Sequence, residues 1–123
     1  LVASGTRSIR SGEPVTDDQL FNATIGITDA RLGVAETGTI VITSGAAGSR
    51  SAHLVPPLHV ALLPVRAIVA DLVDLWDALR HDAPPADTAA ITLVSGPSKT
   101  ADIEGILVTG VHGPKRVVVF VVE

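Results

Sequence analysis

The apolar positions of this chain fall into short β-branched runs separated by glycine and proline, with one long stretch of helical spacing. Ile25 to Ile27, Thr39 to Thr43, Leu58 to Leu63, Ala89 to Val94 and Val117 to Val122 read as strands. Val34–Ala35 precedes the Thr39–Thr43 run, and the two pieces join at a turn or bulge on Gly38. Val65, Ile68, Val69, Leu72, Val73, Trp76 and Leu79 recur every three or four residues, which predicts a helix from Val65 to about His81. Arg66, Asp74, Asp77 and His81 fall on its other side, and Pro84-Pro85 stops it. A strand at 58–63, a helix and a strand at 89–94 predict a right-handed parallel crossover.

The remaining segments are weaker. Ser44 to Ser51 reads as a flexible loop, and Ile103 to Val108 as a short helix or strand. Residues 1–24 show poor periodicity and read as a loosely structured segment of the same domain or the remnant of a longer chain. Within them Thr16 is placed to cap a short helix through Leu20 and Phe21, with Asp17 and Asp18 in its first turn. Residues 25–123 form the bulk of the domain. The chain holds no methionine and opens on loop-like residues, which reads as part of a longer protein, with removal of an initiator methionine alone as the alternative.

Composition narrows the function classes. With 123 residues the chain suits one domain, and its core must be aliphatic because Phe21, Trp76 and Phe120 are the aromatic residues. Three aromatics are too few for a platform that stacks nucleobases. The net charge of −4 comes without any basic run, so no nucleic-acid footprint is expected. No cysteine is present, which excludes a disulfide, a thiolate nucleophile and a cysteine-ligated cluster within the chain. No apolar stretch is long enough for a membrane-spanning helix.

Candidate chemistry lies in three glycine-bearing loops. Ser95-Gly96-Pro97-Ser98-Lys99-Thr100 follows a predicted strand, where the carboxyl edge of a parallel sheet would expose backbone N–H groups. Ser95, Ser98 and Thr100 offer hydroxyls, Gly96 allows close approach, and Lys99 adds a cation for a small anion. Asp102 and Glu104 follow at once and oppose that reading; a plain structural turn is the alternative. In Ala35-Glu36-Thr37-Gly38-Thr39 a Glu36 buried among apolar strands would have a raised pKa and could act as base or nucleophile, or simply hold the turn. Thr37, Gly38 and Thr39 would line a ligand beside it. His112, followed by Gly113, is the best placed of the four histidines, either as a catalytic group or as a cap to its turn. His53 and His59 straddle two prolines at a spacing that matches no metal motif, and a site of Asp102, Glu104 and His112 is the remaining metal arrangement. No metal is therefore expected.

Five segments stand in a familiar order: Gly26-Ile27-Thr28-Asp29-Ala30, the AETGT loop, Leu54-Val55-Pro56-Pro57-Leu58-His59, Ser95 to Glu104, and Gly110-Val111-His112-Gly113-Pro114. Over residues 25–123 the chain resembles the LutC/YkgG family of lactate utilization proteins, which carry a LUD domain. That resemblance implies a three-layer α/β/α fold with a mostly parallel sheet, like the NagB, ribose-5-phosphate isomerase (RpiA) and CoA-transferase group. It also implies a cytoplasmic protein working beside LutA-like and LutB-like iron–sulfur partners in the oxidation of L-lactate to pyruvate. The clusters would sit on those partners, so no cofactor is expected in this chain, in keeping with its lack of cysteine. Glu36, Ser95 to Glu104 and His112 match family positions without an assigned catalytic role. An independent binder of a sugar phosphate or CoA ester, or a purely structural interaction module, are the alternatives.

Overall fold

The computed structural model describes residues 8–10, 13–45, 50–101, 107–109 and 112–123. Helix α1 (Asp17–Phe21) is capped as its sequence predicts. Gln19 N donates to Thr16 Oγ1, and the Gln19 side chain accepts from Thr16 N, a reciprocal capping box.

The strands form two larger sheets and a ribbon. β1 (Ile25–Asp29), β4 (Leu58–Pro64) and β9 (Arg116–Val122) make a wholly parallel sheet in the order β1-β4-β9. β2 (Leu32–Val34), β3 (Thr39–Gly45), β5 (Ile68–Val69) and β6 (Thr88–Val94) make a second sheet in the order β5-β2-β3-β6. There β2 pairs parallel with β5, while β3 runs antiparallel to both β2 and β6. β7 (Lys99–Ala101) and β8 (Leu107–Thr109) form a short antiparallel ribbon.

The two sheets stack, and strand alternation divides the core. Ile40 and Ile42 of β3 point toward Ala61 and Leu63 of β4, with Ala30 completing that cluster. Val34 and Val41 point the other way, onto Leu75 and Leu79 of helix α3 (Leu72–His81). Helix, mixed sheet and parallel sheet therefore succeed one another as layers of an α/β domain. The outward face of the parallel sheet shows Ile25, Ile27, Phe120 and Val122 to solvent. Among the described residues no helix is long and apolar enough to cross a membrane.

Two expectations are corrected here. The predicted helix over 65–81 begins only at Leu72, because Val65–Ala67 forms a 3-10 turn and Ile68–Val69 pairs with β2. Asp71 then starts α3 by accepting from Val73 N and Asp74 N at 2.8 and 2.9 Å. The buried stripe falls on Leu75 and Leu79, so of the expected face Leu79 is buried while Leu72, Val73 and Trp76 are exposed. The predicted crossover also fails: β4 and β6 lie in different sheets, and β6 is antiparallel to its neighbour. The connection from β3 to β4 also contains the one-turn helix α2 (Ser51–Leu54), which begins at the last residue of the expected flexible loop.

Candidate functional site

The AETGT turn is built from the ends of β2 and β3. Ala35 N donates to Val69 O and Glu36 N to Ala70 O, both at 3.0 Å, so the turn leaves the sheet along β5. Gly38 closes it with a φ of 62°, a left-handed conformation that glycine adopts without steric cost. Thr39 follows as a buried residue, and its Oγ1 lies 2.6 Å from Thr37 Oγ1 and 2.7 Å from Ser95 Oγ. The pairing of Ile40 with Val94 sets Ser95 opposite Thr39. Three hydroxyls carry three hydrogens for two internal bonds, so one O–H is left to donate outside the chain. Such hydroxyl chains polarise one another, which strengthens the outward bond.

Glu36 is exposed at the tip of this turn rather than buried among strands. The burial invoked for a base or nucleophile is therefore not met at Glu36.

The SGPSKT and HGPK loops meet through main chain. Ser98 N donates to Pro114 O at 2.9 Å, and a Cβ built on Gly113 would lie 3.2 Å from Ser98 Cβ. Gly96 turns the chain with a φ of 107°. Lys115 N and Arg116 N both donate to Pro57 O, at 2.9 and 3.2 Å, which hangs the HGPK loop on the proline pair before β4. Because β6 is antiparallel to β3, Ser95 to Ser98 do not stand at the carboxyl edge of a parallel sheet, as the sequence implied. Lys99 and Thr100 belong to β7, and Lys99 is exposed.

The structure thus laces the three loops into one cluster: AETGT to SGPSKT by hydroxyls, and SGPSKT to HGPK by a backbone bond. Glu36, Lys99 and His112 are exposed around it, and no ion pair links them to one another. Asp102 and Glu104 lie outside the described residues, and with them the Asp102, Glu104 and His112 metal arrangement. Among the described residues no group of three or more histidines and carboxylates is placed to hold a metal ion.

A pocket of about 240 Å³ opens between the sheets, lined by Gly33, Ile40, Leu63, Ile68 and Val119 with the AETGT turn at its rim. Its walls are apolar, and Thr39, the middle residue of the hydroxyl chain, stands among its lining residues.

The structure also brings together two residues that spacing alone set aside. His53 of α2 and His59 of β4 are buried with ring centroids 6.0 Å apart. His59 Nε2 is 2.8 Å from Thr28 Oγ1 on β1, while His59 Nδ1 and His53 Nε2 have no hydrogen-bond partner among the described residues. Burial holds both imidazoles below the ordinary value of 6.5; Arg50 depresses His53 further, and His53 does the same to His59. The proline pair between these histidines hid the contact, because it bends α2 back over the start of β4.

The chain belongs to the LUD-domain family, whose model matches residues 9–122. It is 41% identical over 103 residues to a lactate utilization protein C of Halalkalibacterium halodurans, covering 82% of this chain and 45% of that protein. It is 38% identical over 96 residues to the Bacillus subtilis lactate utilization protein C, covering 76% and 40%. The uncharacterized protein YkgG of Escherichia coli K12 is 36% identical over 107 residues, covering 85% and 46%. The chain spans about half the length of these curated relatives. The crystal structure of a DUF162 family protein from Deinococcus radiodurans matches 99% of this chain and 67% of its own with a TM-score of 0.71. At 24% identity that likeness is one of fold.

Proposed function

We propose that this chain serves in lactate utilization as the component without clusters in an iron–sulfur-dependent oxidation of L-lactate to pyruvate. LutA-like and LutB-like partners would carry the clusters, in the cytoplasm, and accept the two electrons that leave lactate. In this reading the laced loops bind a small carboxylate. Lys99 supplies a cation at the rim, His112 offers a ring N–H, and the free O–H of the Thr37–Thr39–Ser95 chain donates to an oxygen of the ligand. Glu36 is placed at the edge of that cluster rather than within it. The observation that carries the reading is the lacing itself: segments far apart in sequence, which together mark the family resemblance, are bonded into one surface. The relatives named for lactate utilization support the pathway.

The test is co-purification with the two iron–sulfur proteins, followed by pyruvate formation from L-lactate with and without this chain. Equal oxidation in its absence would sink the proposal. A second reading, an interaction module without a ligand, draws on the apolar residues exposed along β1 and β9. It expects Lys99→Ala and His112→Ala to leave pathway activity intact, and substitutions at Ile27 or Phe120 to abolish it.

A further inference from the structure

Helix α2 leans on the strands β1 and β4 beneath it. It is four residues long, and its N-cap residue Arg50 makes no side-chain capping bond. A single uncapped turn has no helical stability of its own, so its place depends on packing. Two described contacts fix its underside. The Ala52 carbonyl lies against Gly26 of β1, where any Cβ would collide with it. His53, 3% exposed, lies on His59, which is fully buried and anchored to Thr28.

The charged surroundings favour neutral rings. On α2 itself the ionisable groups are His53 and the capping Arg50, which is a cation. β4 carries only His59, and β1 carries only Asp29, which strand alternation turns to the face opposite Thr28. Lys115 and Arg116, which bond the proline pair through their backbone, are exposed cations. Asp87 lies beside Gly45 at the end of β3 and is exposed. An added proton would therefore meet desolvation, Arg50 and a second imidazole, with no carboxylate set against it among the described residues.

The same helix leads directly to the loops. Val55 N donates to Ser51 O to close α2, Pro56 is buried, and Pro57 O takes the Lys115 and Arg116 amides. Pro114, one residue before Lys115, takes the Ser98 amide. We propose that the His53–His59 pair is an acid-sensitive latch: protonation of either imidazole releases α2 from β1 and β4 and slackens the proline loop on which HGPK and SGPSKT hang. The latch stands on this geometry alone; its effect on ligand binding rests on the function proposed above.

The sign follows from linkage. Rings that are neutral when docked take up protons when released, so docking is complete above about pH 6.5 and weakens as pH falls below it. One proton taken up on release shifts the docked-to-released ratio by up to about tenfold per pH unit, and two by up to about a hundredfold.

The experiment is an NMR titration of the whole chain from about pH 8 to about pH 5, following the imidazole Cε1–H signals and the backbone amides. The expected result is that His53 and His59 protonate below the ordinary imidazole value of 6.5. The amides of Ala52, His53 and Leu54 should lose dispersion in that same step, while those of Val41 and Ile42 stay. Protonation of both buried rings with the α2 amides unmoved overturns the latch. So does melting of α2 at a pH where neither ring has titrated. His53→Leu removes the upper titrating group and keeps an apolar fill, so its α2 amides should hold to lower pH; an unchanged melting midpoint also overturns the proposal. If that variant does not fold, the wild-type titration decides. No ligand or partner enters the measurement, so failure of the complex with iron–sulfur proteins leaves its result standing. Lactate oxidation at the two ends of the pH range then reads the consequence for the loops.

Discussion

Thr39 Oγ1 stands 2.7 Å from Ser95 Oγ, which joins the turn between β2 and β3 to the loop after β6 across 56 positions of sequence. With Thr37 at its other side, Thr39 is the middle link of the hydroxyl chain, and it is the one that is buried. Thr39→Val keeps the branched shape and removes both bonds. A loss of about 1–2 kcal/mol in urea unfolding is expected, since each bond is worth about 0.5–1.5 kcal/mol and valine recovers part by burial. Ser95→Ala removes one bond at an exposed end and should cost less. A larger loss for Ser95→Ala than for Thr39→Val would show that the lacing is not centred on Thr39.

Lys99 is exposed and makes no ion pair with Glu36. Lys99→Ala should leave stability within about 0.5 kcal/mol, as is usual for surface sites. If the loops bind a carboxylate, the same substitution should abolish the rise in Tm produced by lactate or pyruvate. A ligand-induced rise that survives in Lys99→Ala would move the site away from SGPSKT.

Gly33 faces Leu63 across the two sheets, and a Cβ at Gly33 would lie 2.6 Å from Leu63 Cδ2. Gly33→Ala should therefore destabilise by about 1–3 kcal/mol through overpacking. Leu63→Val shortens the opposing side chain, so the double variant should be less destabilised than the two single losses added together. Simple additivity in that cycle would show that the two residues do not clash.

Asp71 begins α3 by accepting from the Val73 and Asp74 amides. Asp71→Ala should cost about 1 kcal/mol and Asp71→Asn much less, because asparagine caps nearly as well. Amide exchange at Val73 and Asp74 is the direct measurement. Equal losses for the two variants would point to the charge of Asp71 rather than its capping bond.

Much of this fold was legible because β-branched runs and capping signals are local. Thr39–Gly45, Leu58–Pro64, Thr88–Val94 and Arg116–Val122 lie where their valine and isoleucine runs predict, and Thr16 caps α1 as its neighbours require. Pairing was not local, and there the sequence misled. Ile68 and Val69 fit the helical repeat as well as they fit a strand, and only their register with Gly33 and Val34 decides between the two. Trp76 and Leu75 are adjacent, so a one-residue error in phase exchanged the buried member for the exposed one. The three glycine loops were identified from their residues and their resemblance. Their joining through Thr39, Ser95, Ser98 and Pro114 needed the antiparallel placement of β6, which no periodicity encodes. His53 and His59 were set aside on spacing, because a turn of proline geometry brings together residues that a ligand motif would place otherwise.

The loop cluster has one further property. Its described links are hydroxyl–hydroxyl and main-chain bonds: Thr37 to Thr39, Thr39 to Ser95, Ser98 to Pro114, and Lys115 and Arg116 to Pro57. None is an ion pair. Dissolved salt screens charges over about 8 Å at physiological ionic strength and leaves neutral hydrogen bonds nearly untouched. The scaffold should thus hold the same shape in dilute buffer and in brine, so that any dependence of binding on ionic strength reports the charge of the guest and not the looseness of its host.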